Sequence, residues 1–289
     1  MKPHSHRLMS ILAALLLAGT AQLAEAETRV RIVTWNVHPR SIGGETPESR
    51  MTRMLAFART QNVAIIAFQE VPRSLFNAPA RMDPLVNAAT AAGYEMAALP
   101  SEYPNTPGRT PTSTIHNAYM VFYDPNVVAP SNVPADANPV MTFFHPELFT
   151  QGPLNQARPP ATLTFDVQHA DGTTTPLHLL SWHNEAGTLA RQHVAQLEQA
   201  IHTHLVTQQG SWVVVGDFNV ADSTQEMEDL DRDFEQLTHD ETGIDHILSN
   251  ATITNVINDD PATAIDPQFR SDGRHLALFG ELNIQGASR

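Results

Sequence analysis

Several stretches of this chain share one design: a short apolar run, rich in β-branched residues, stops at side chains able to do chemistry. Val30 to Trp35 ends in Asn36, and Val63 to Phe68 ends in Gln69-Glu70. Leu177 to Trp182 runs into His183-Asn184, and Trp212 to Val215 runs into Gly216-Asp217-Phe218-Asn219. Later, Ile244 to Leu248 carries Asp245-His246, and Ser271-Asp272 precedes a run from His275 to Leu282. Runs of this length and composition read as strands, and the continuous ones suit strands covered on both faces. A sheet lines its strand ends along one edge, where loops present side chains from a rigid base. The pattern therefore predicts a cluster of Asn, Glu, Asp and His at one sheet edge, fit to hold a hard cation beside a general base.

The intervening chain supports a layered fold. From Glu48 to Gln61, Met51, Met54, Leu55 and Ala58 recur at helical spacing, and Gly187 to Thr207 repeats that pattern with Leu189, Val194, Leu197, Ile201 and Leu205. Ala118 to Tyr123 and Thr162 to Val167 are further strands, while Pro100 to Thr114 and the proline-rich Pro125 to Pro160 read as long surface loops. Many strands and fewer helices, mixed along the chain, suit two packed sheets with helices outside.

Composition narrows the chemistry. There is no cysteine, so disulfides and thiolate metal sites are excluded, and any metal sits on oxygen and imidazole donors. Such donors favour magnesium, calcium or manganese. A formal charge of −14 argues against a high-affinity nucleic-acid-binding module, though less against an enzyme that handles one phosphate at a time. The chain opens with Lys2 and Arg7, then the apolar Ile11 to Ala18, then small residues ending in Ala24-Glu25-Ala26. This order is that of a secretory signal peptide over 1–26, with cleavage expected after Ala26 and a domain over 27–289. The alternative is an uncleaved anchor, but the apolar run falls short of the roughly 20 residues a membrane span needs. A secreted or periplasmic protein with no stable membrane span is expected.

Each chemical piece has an ordinary structural use when taken alone. Asn36 can end a strand by bonding its own backbone, Glu70 can be a solvated surface acid, and Asp217 can open an Asx turn. With 14 histidines in the chain, most are bystanders, and His193, His202, His204 and His246 read that way. Order decides in favour of function. Thr34-Trp35-Asn36, Phe68-Gln69-Glu70, Ser181-Trp182-His183, Gly216-Asp217-Phe218-Asn219, Ile244-Asp245-His246 and Ser271-Asp272, in this succession, resemble the endonuclease/exonuclease/phosphatase superfamily. The resemblance covers nearly all of 27–289. The leader and Ala157-Arg158-Pro159-Pro160-Ala161 look most like its deoxyribonuclease I-like members, especially cytolethal distending toxin catalytic subunits.

The resemblance implies a four-layer α/β/β/α sandwich and a metal-dependent phosphodiester hydrolase. Glu70 would be the main ligand of a magnesium ion, with manganese and calcium as alternatives, helped by Asn36 and Asp272. Asp217 would orient the attacking water or steady the leaving oxygen, and Asn219 would donate to the phosphoryl oxygens. His275, paired with Asp245, would be the general base. His183 would protonate the leaving group or stabilise the phosphate, with Glu102 as a loosely matched partner, and Arg158 would contact a substrate phosphate. DNA is the first substrate the resemblance implies. A phosphoinositide or sphingomyelin-type ester is the second, and a non-catalytic binding protein on the same fold is the third. A toxin component would need delivery subunits encoded elsewhere.

One departure bears on the base. The superfamily has serine, aspartate and histidine in succession, whereas here Gly273-Arg274 separate Asp272 from His275. Either Gly273 permits a bulge or tight turn that re-aims the imidazole, or His275 is displaced from the site.

Overall fold

The computed structural model describes residues 27–100, 117–133, 137, 139–149, 158–187, 189–221, 223–234, 237–239, 243–254, 269–271 and 275–286. The expected leader, Glu102, Asp272, Gly273, Arg274 and most of the Pro100 to Thr114 loop lie outside them. Among the described residues no helix is long and apolar enough to cross a membrane.

Two sheets face one another. The strands of the first are β1 (Glu27–Asn36), β2 (Ile65–Pro72), β3 (Glu95–Leu99), β4 (Asn117–Tyr123), β12 (Thr252–Thr254) and β13 (Leu278–Gln285), in the order β12-β13-β1-β2-β4-β3. The second contains β5 (Val128–Pro130), β7 (Ala161–Gln168), β8 (Thr174–His183), β9 (Ser211–Asp217), β10 (Leu237–His239) and β11 (Asp245–Ser249), in the order β10-β11-β9-β8-β7-β5, with β6 (Thr142–Phe143) added on β7. Helices α1 (Pro47–Thr60) and α2 (Pro79–Ala91) cover the outside of the first sheet. Helices α3 (Ala190–His204) and α4 (Gln225–Phe234) cover the second. The expected α/β/β/α layering is the observed one.

Alternation along each strand sorts side chains between layers. On β1, Val30 and Ile32 enter the inter-sheet core, while Val33 and Trp35 pack under the helices with Phe68, Phe122 and Phe279. On β8, Leu177 and Leu179 point inward, and Leu180 and Trp182 point outward. On β9, Val213 and Val215 point inward, and Val214 points outward. Both faces of these strands are buried, which is why their sequences read as unbroken apolar runs. Truncating a core residue such as Phe165 to alanine costs about 3–5 kcal/mol.

Helix α1 begins where the sequence signals it: Thr46 caps it by accepting from the Ser49 N–H at 3.3 Å, Pro47 opens it and Glu48 sits in its first turn. The four residues at helical spacing, Met51, Met54, Leu55 and Ala58, are all buried. Elsewhere the elements differ from expectation. The Pro125 to Pro160 stretch is not all loop, because β5, β6 and a 3-10 turn at Pro146–Phe149 lie inside it. Helix α2 escapes sequence reading because Pro84 sits in its interior, where proline normally breaks a helix. Helix α4 escapes because only Met227 and Leu230 of its ten residues are buried. The run beginning at His275 becomes strand only at Leu278.

Candidate active site

The inward columns of the two sheets turn polar at their last rungs, on one edge of the sandwich. Asn36 continues the column Val30-Ile32-Thr34. His183 continues Leu177-Leu179-Ser181, Asp217 continues Val213-Val215, and Asp245 lies two residues before the inward Ile247. In register, His183 lies beside Asp217 on the parallel neighbours β8 and β9, and Asp217 lies opposite Asp245 on β9 and β11. All four are almost fully buried.

Glu70 obeys a different rule. On β2, Ile65, Ala67 and Gln69 face inward and Ile66 and Phe68 face outward, so simple alternation would send Glu70 under the helices. Pairing of β2 with β4 instead slips between Phe68 and Val71, and Glu70 adopts φ 56°, in the left-handed region. Val71 then returns to the outward core. The bulge inserts one residue and puts two successive side chains on the inner side. Gln69 and Glu70 thereby divide the labour. Gln69 is buried and its amide nitrogen donates to Ser181 Oγ at 2.9 Å and Thr34 Oγ1 at 3.0 Å, tying the sheets together beneath the site. Glu70 reaches the site, with Oε1 3.2 Å from His183 Nε2.

The glycine of Gly216-Asp217-Phe218-Asn219 has a physical reason. At φ 137°, a Cβ on Gly216 would stand 1.9 Å from the Trp182 carbonyl oxygen on the parallel neighbour. No other residue lets β9 approach β8 so closely just before Asp217. After Asp217 the chain turns: the Asn219 N–H donates to Asp217 Oδ1 at 2.9 Å, with Asn219 at φ 52°. The Asn219 side-chain nitrogen donates to the Asn184 carbonyl at 2.9 Å, which spends one of its two N–H groups inside the protein.

Asp217 is the hub. Its Oδ2 accepts from Asn36 Nδ2 at 3.0 Å and lies 3.7 Å from Nε2 of both His183 and His275. Nδ1 of His275 is 2.9 Å from Asp245 Oδ2, so the expected imidazole–carboxylate pair is formed. The inserted residues do not displace His275. The Ser271 N–H donates to the His275 carbonyl at 2.9 Å, Arg270 bridges to Leu276, and Ser271 Oγ donates to the Asn36 carbonyl at 2.7 Å. The described residues on either side of the insertion are thus paired with each other and anchored to the end of β1, which leaves His275 at the site.

His183 is set differently. Arg158 Nη1 lies 2.8 Å from Nδ1 and 2.9 Å from Nε2, and Glu70 faces Nε2. A guanidinium N–H needs an acceptor, so the Arg158 cation within 2.9 Å of both ring nitrogens favours the neutral imidazole over the imidazolium. Burial, then the Arg158 charge, push its pKa from 6.5 down to about 4, against the pull of Glu70 and Asp217. The expected partner Glu102 lies outside the described residues, and Glu70 contacts this ring. Arg158 also lies 3.0 Å from Glu185 through Nε, and its carbonyl accepts from Trp182 Nε1 at 2.7 Å.

Several supporting residues have roles that the sequence does not signal. Asn184 accepts from the Glu185 N–H and from His193 Nδ1, and it donates to the Ala190 and Phe218 carbonyls, knitting the exits of β8 and β9 to α3. Arg50, buried on α1, donates to the carbonyls of Val37, His38, Arg40 and Glu45 and freezes the loop leaving Asn36. His38 in that loop donates its N–H to Asn36 Oδ1 at 3.0 Å, which fixes the amide so that its nitrogen faces Asp217. The Tyr119 hydroxyl on β4 accepts from the His183 N–H at 3.1 Å. An arginine in a helix or a tyrosine in a strand has nothing in its neighbours to announce such roles.

The donor set fits a divalent cation. Three carboxylates converge here: Glu70 Oε1 and Asp217 Oδ2 reach His183 Nε2 at 3.2 and 3.7 Å, and one oxygen each of the buried Asp217 and Asp245 lies within 4.8 Å of the other. Carboxylates facing each other across neighbouring strands repel, and burial sharpens that cost unless positive charge compensates. Carboxylate and amide oxygens, and no thiolate anywhere in the chain, suit a hard ion.

The sequence matches the Endonuclease/Exonuclease/phosphatase family over residues 33–263. The chain belongs to that family. Its members are phosphodiesterases and phosphatases that generally use divalent metals, and this chain is accordingly a hydrolase of phosphoesters. No curated protein sequence matches it. Among solved structures, the human Nocturnin catalytic domain with bound sulfate superposes with a TM-score of 0.54 at 14% identity, covering 91% of this chain and 98% of that one. A D. rerio TDP2 complexed with single strand DNA product gives 0.53 at 12% identity, covering 89% and 99%. A family member from Beutenbergia cavernae gives 0.55 at 15% identity, covering 90% and 72%. Likeness at such low identity speaks for the shared fold alone.

Proposed function

We propose that this chain is a magnesium-dependent DNA endonuclease that acts after export. The observation behind it is the convergence of two differently prepared imidazoles on Asp217. His275, oriented by Asp245, offers Nε2 as the base that takes a proton from water. His183, held neutral beside Arg158, is a poor acid at neutral pH, so of its two expected roles stabilising the phosphate suits it better. Arg158 and the second side-chain N–H of Asn219 would donate to non-bridging oxygens, where charge builds. Glu70, Asn36 and Asp272 would hold the metal, which when bound neutralises phosphate charge and acidifies a water. Export rests on the leader over 1–26, and likeness to toxin catalytic subunits on the Ala157 to Ala161 stretch. Delivery subunits would then come from elsewhere. That TDP2 has been solved with a single strand DNA product lends the nucleic-acid reading support.

A second substrate is favoured by one observation. The net charge of −14 repels a long polyanion such as DNA more than a single phosphoinositide or sphingomyelin-type head group. Supercoiled plasmid and phosphoinositide vesicles, each assayed with magnesium and with chelator, separate the two. Nicking by the wild type that vanishes in Glu70→Ala and His183→Ala supports the endonuclease. Ester release from lipid with no nicking overturns it in favour of the second substrate.

A further inference from the structure

A second group of metal donors lies on the outer helical layer. Glu198 and His202 are one turn apart on the face of α3 that meets α4, and Asp233 comes from the last turn of α4. One donor atom of each lies within 4.8 Å of the other two. His202 Nε2 is 3.5 Å from Asp233 Oδ2.

The surroundings hold these donors in place. The His202 ring packs on Phe234 at 4.9 Å, and Phe234 packs edge-on against the buried Trp212 at 5.0 Å. The aromatic wall restricts the imidazole, so little side-chain entropy remains to be lost on ligation. Arg232 is drawn aside: Nη1 bonds Asp229 Oδ1 at 2.7 Å, and Nε reaches only the other carboxylate oxygen of Asp233, at 3.3 Å. Oδ2, the oxygen that faces His202, is not the one Arg232 holds.

We infer that Glu198, His202 and Asp233 form a second, accessible site for a divalent transition ion of the zinc class, which clamps α3 to α4. A residue pair one turn apart on a helix presents both side chains to one ion. One imidazole with two carboxylates suits zinc better than magnesium, and three protein ligands leave a position for water. Half-exposed donors allow the ion to enter from solvent, unlike the buried donors around Asp217. The inference is independent of the substrate assigned to the active site.

The test is calorimetric titration of the metal-stripped full chain with Zn2+ under excess Mg2+, beside thermal melts with and without Zn2+. The variants are His202→Ala, Glu198→Gln and, as a control, His204→Ala, whose imidazole stacks on His145 at 3.5 Å and belongs to a different surface cluster. His202→Ala and Glu198→Gln should each lose one equivalent of Zn2+ and the accompanying rise in melting temperature. Both should keep their zinc-free melting point and the wild-type rate of phosphoester hydrolysis. His204→Ala should bind as the wild type does. The proposal is overturned if His202→Ala keeps the wild-type stoichiometry and Zn2+-induced rise, or if His204→Ala abolishes them instead.

Discussion

The two sheets reach the same site by unlike routes. The second sheet contributes His183, Asp217 and Asp245 by continuing the alternation that builds the inter-sheet core, so each is simply the next inward residue of an apolar column. The first sheet continues its column only to Asn36. It supplies Glu70 by breaking its alternation with a bulge and a left-handed residue. The second sheet's half of the site is therefore made of regular structure, whose disturbance threatens folding. On the first sheet, the acid is held against local backbone preference, and its disturbance threatens function first. Strain of this kind persists only where surrounding structure over-determines it, and it gathers at functional sites.

The strongest way to break this contrast is Gly216→Ala. The new Cβ would meet the backbone oxygen of Trp182, which cannot move without opening the β8–β9 ladder. A loss of more than about 4 kcal/mol is expected, read from the urea midpoint, or no folded protein at all. A loss under about 1 kcal/mol would show that the close approach is not needed. Next comes Asp245→Asn. An amide keeps the shape but not the charge opposite His275 Nδ1. The expected fall in kcat is on the order of 10³-fold with KM little changed, within the range that proton-transfer groups contribute. An equal rise in KM would assign Asp245 to binding instead.

The pH dependence of stability probes the same half more gently. His183 has its pKa at about 4 when folded and near 6.5 when unfolded, so the unfolded chain binds the proton first. Its neutral form then supports folding fully above about pH 6.5, and that support drains away as pH falls toward 4, by on the order of 3 kcal/mol. His178 and His193 are lowered as well, both chiefly by burial, and add in the same direction. Urea midpoints of metal-free protein across this window should fall with acid, and His183→Gln should fall less steeply. Parallel curves would place the effect on the other two histidines.

Legibility of the site follows the same division. Asp217 and Asp245 can be found in the sequence because each adjoins an apolar run whose period already places it, and Gly216 marks the close approach next to the first. The His275–Asp245 pair is formed despite Gly273-Arg274, since the bond between Ser271 and His275 fixes the position from which the imidazole reaches Asp245. Glu70 is legible as the polar end of the run Val63 to Phe68 and as part of a motif, although period-2 reasoning puts its side chain on the wrong face. Gln69 drew notice as part of that motif, but its work of joining the sheets through Ser181 depends on a contact across 112 residues. Arg50 acts through backbone carbonyls, Tyr119 through a contact across 64 residues, and Asn184 through partners that reach as far as Phe218, none of which local spacing encodes. Helix α2 stayed hidden because Pro84 contradicts its own context, and tertiary packing of Leu85 and Ala89 overrode propensity.

The mildest expected effect goes to the root of the contrast. Glu70→Gly removes the carboxylate, but it also removes the Cβ that makes φ 56° costly. If the bulge is imposed on Glu70 by its neighbours, glycine should relieve that cost and stabilise the fold by about 1 kcal/mol, less whatever freedom glycine adds to the unfolded chain. Activity should vanish in the same variant. Glu70→Gln is the companion: it should lose activity equally but gain nothing from backbone relief. A higher urea midpoint for glycine than for glutamine would show that the first sheet holds this acid at the expense of stability. If glycine were the less stable of the two, the carboxylate's contact with His183 would outweigh the strain, and the two halves of the site would differ in geometry but not in energetic character.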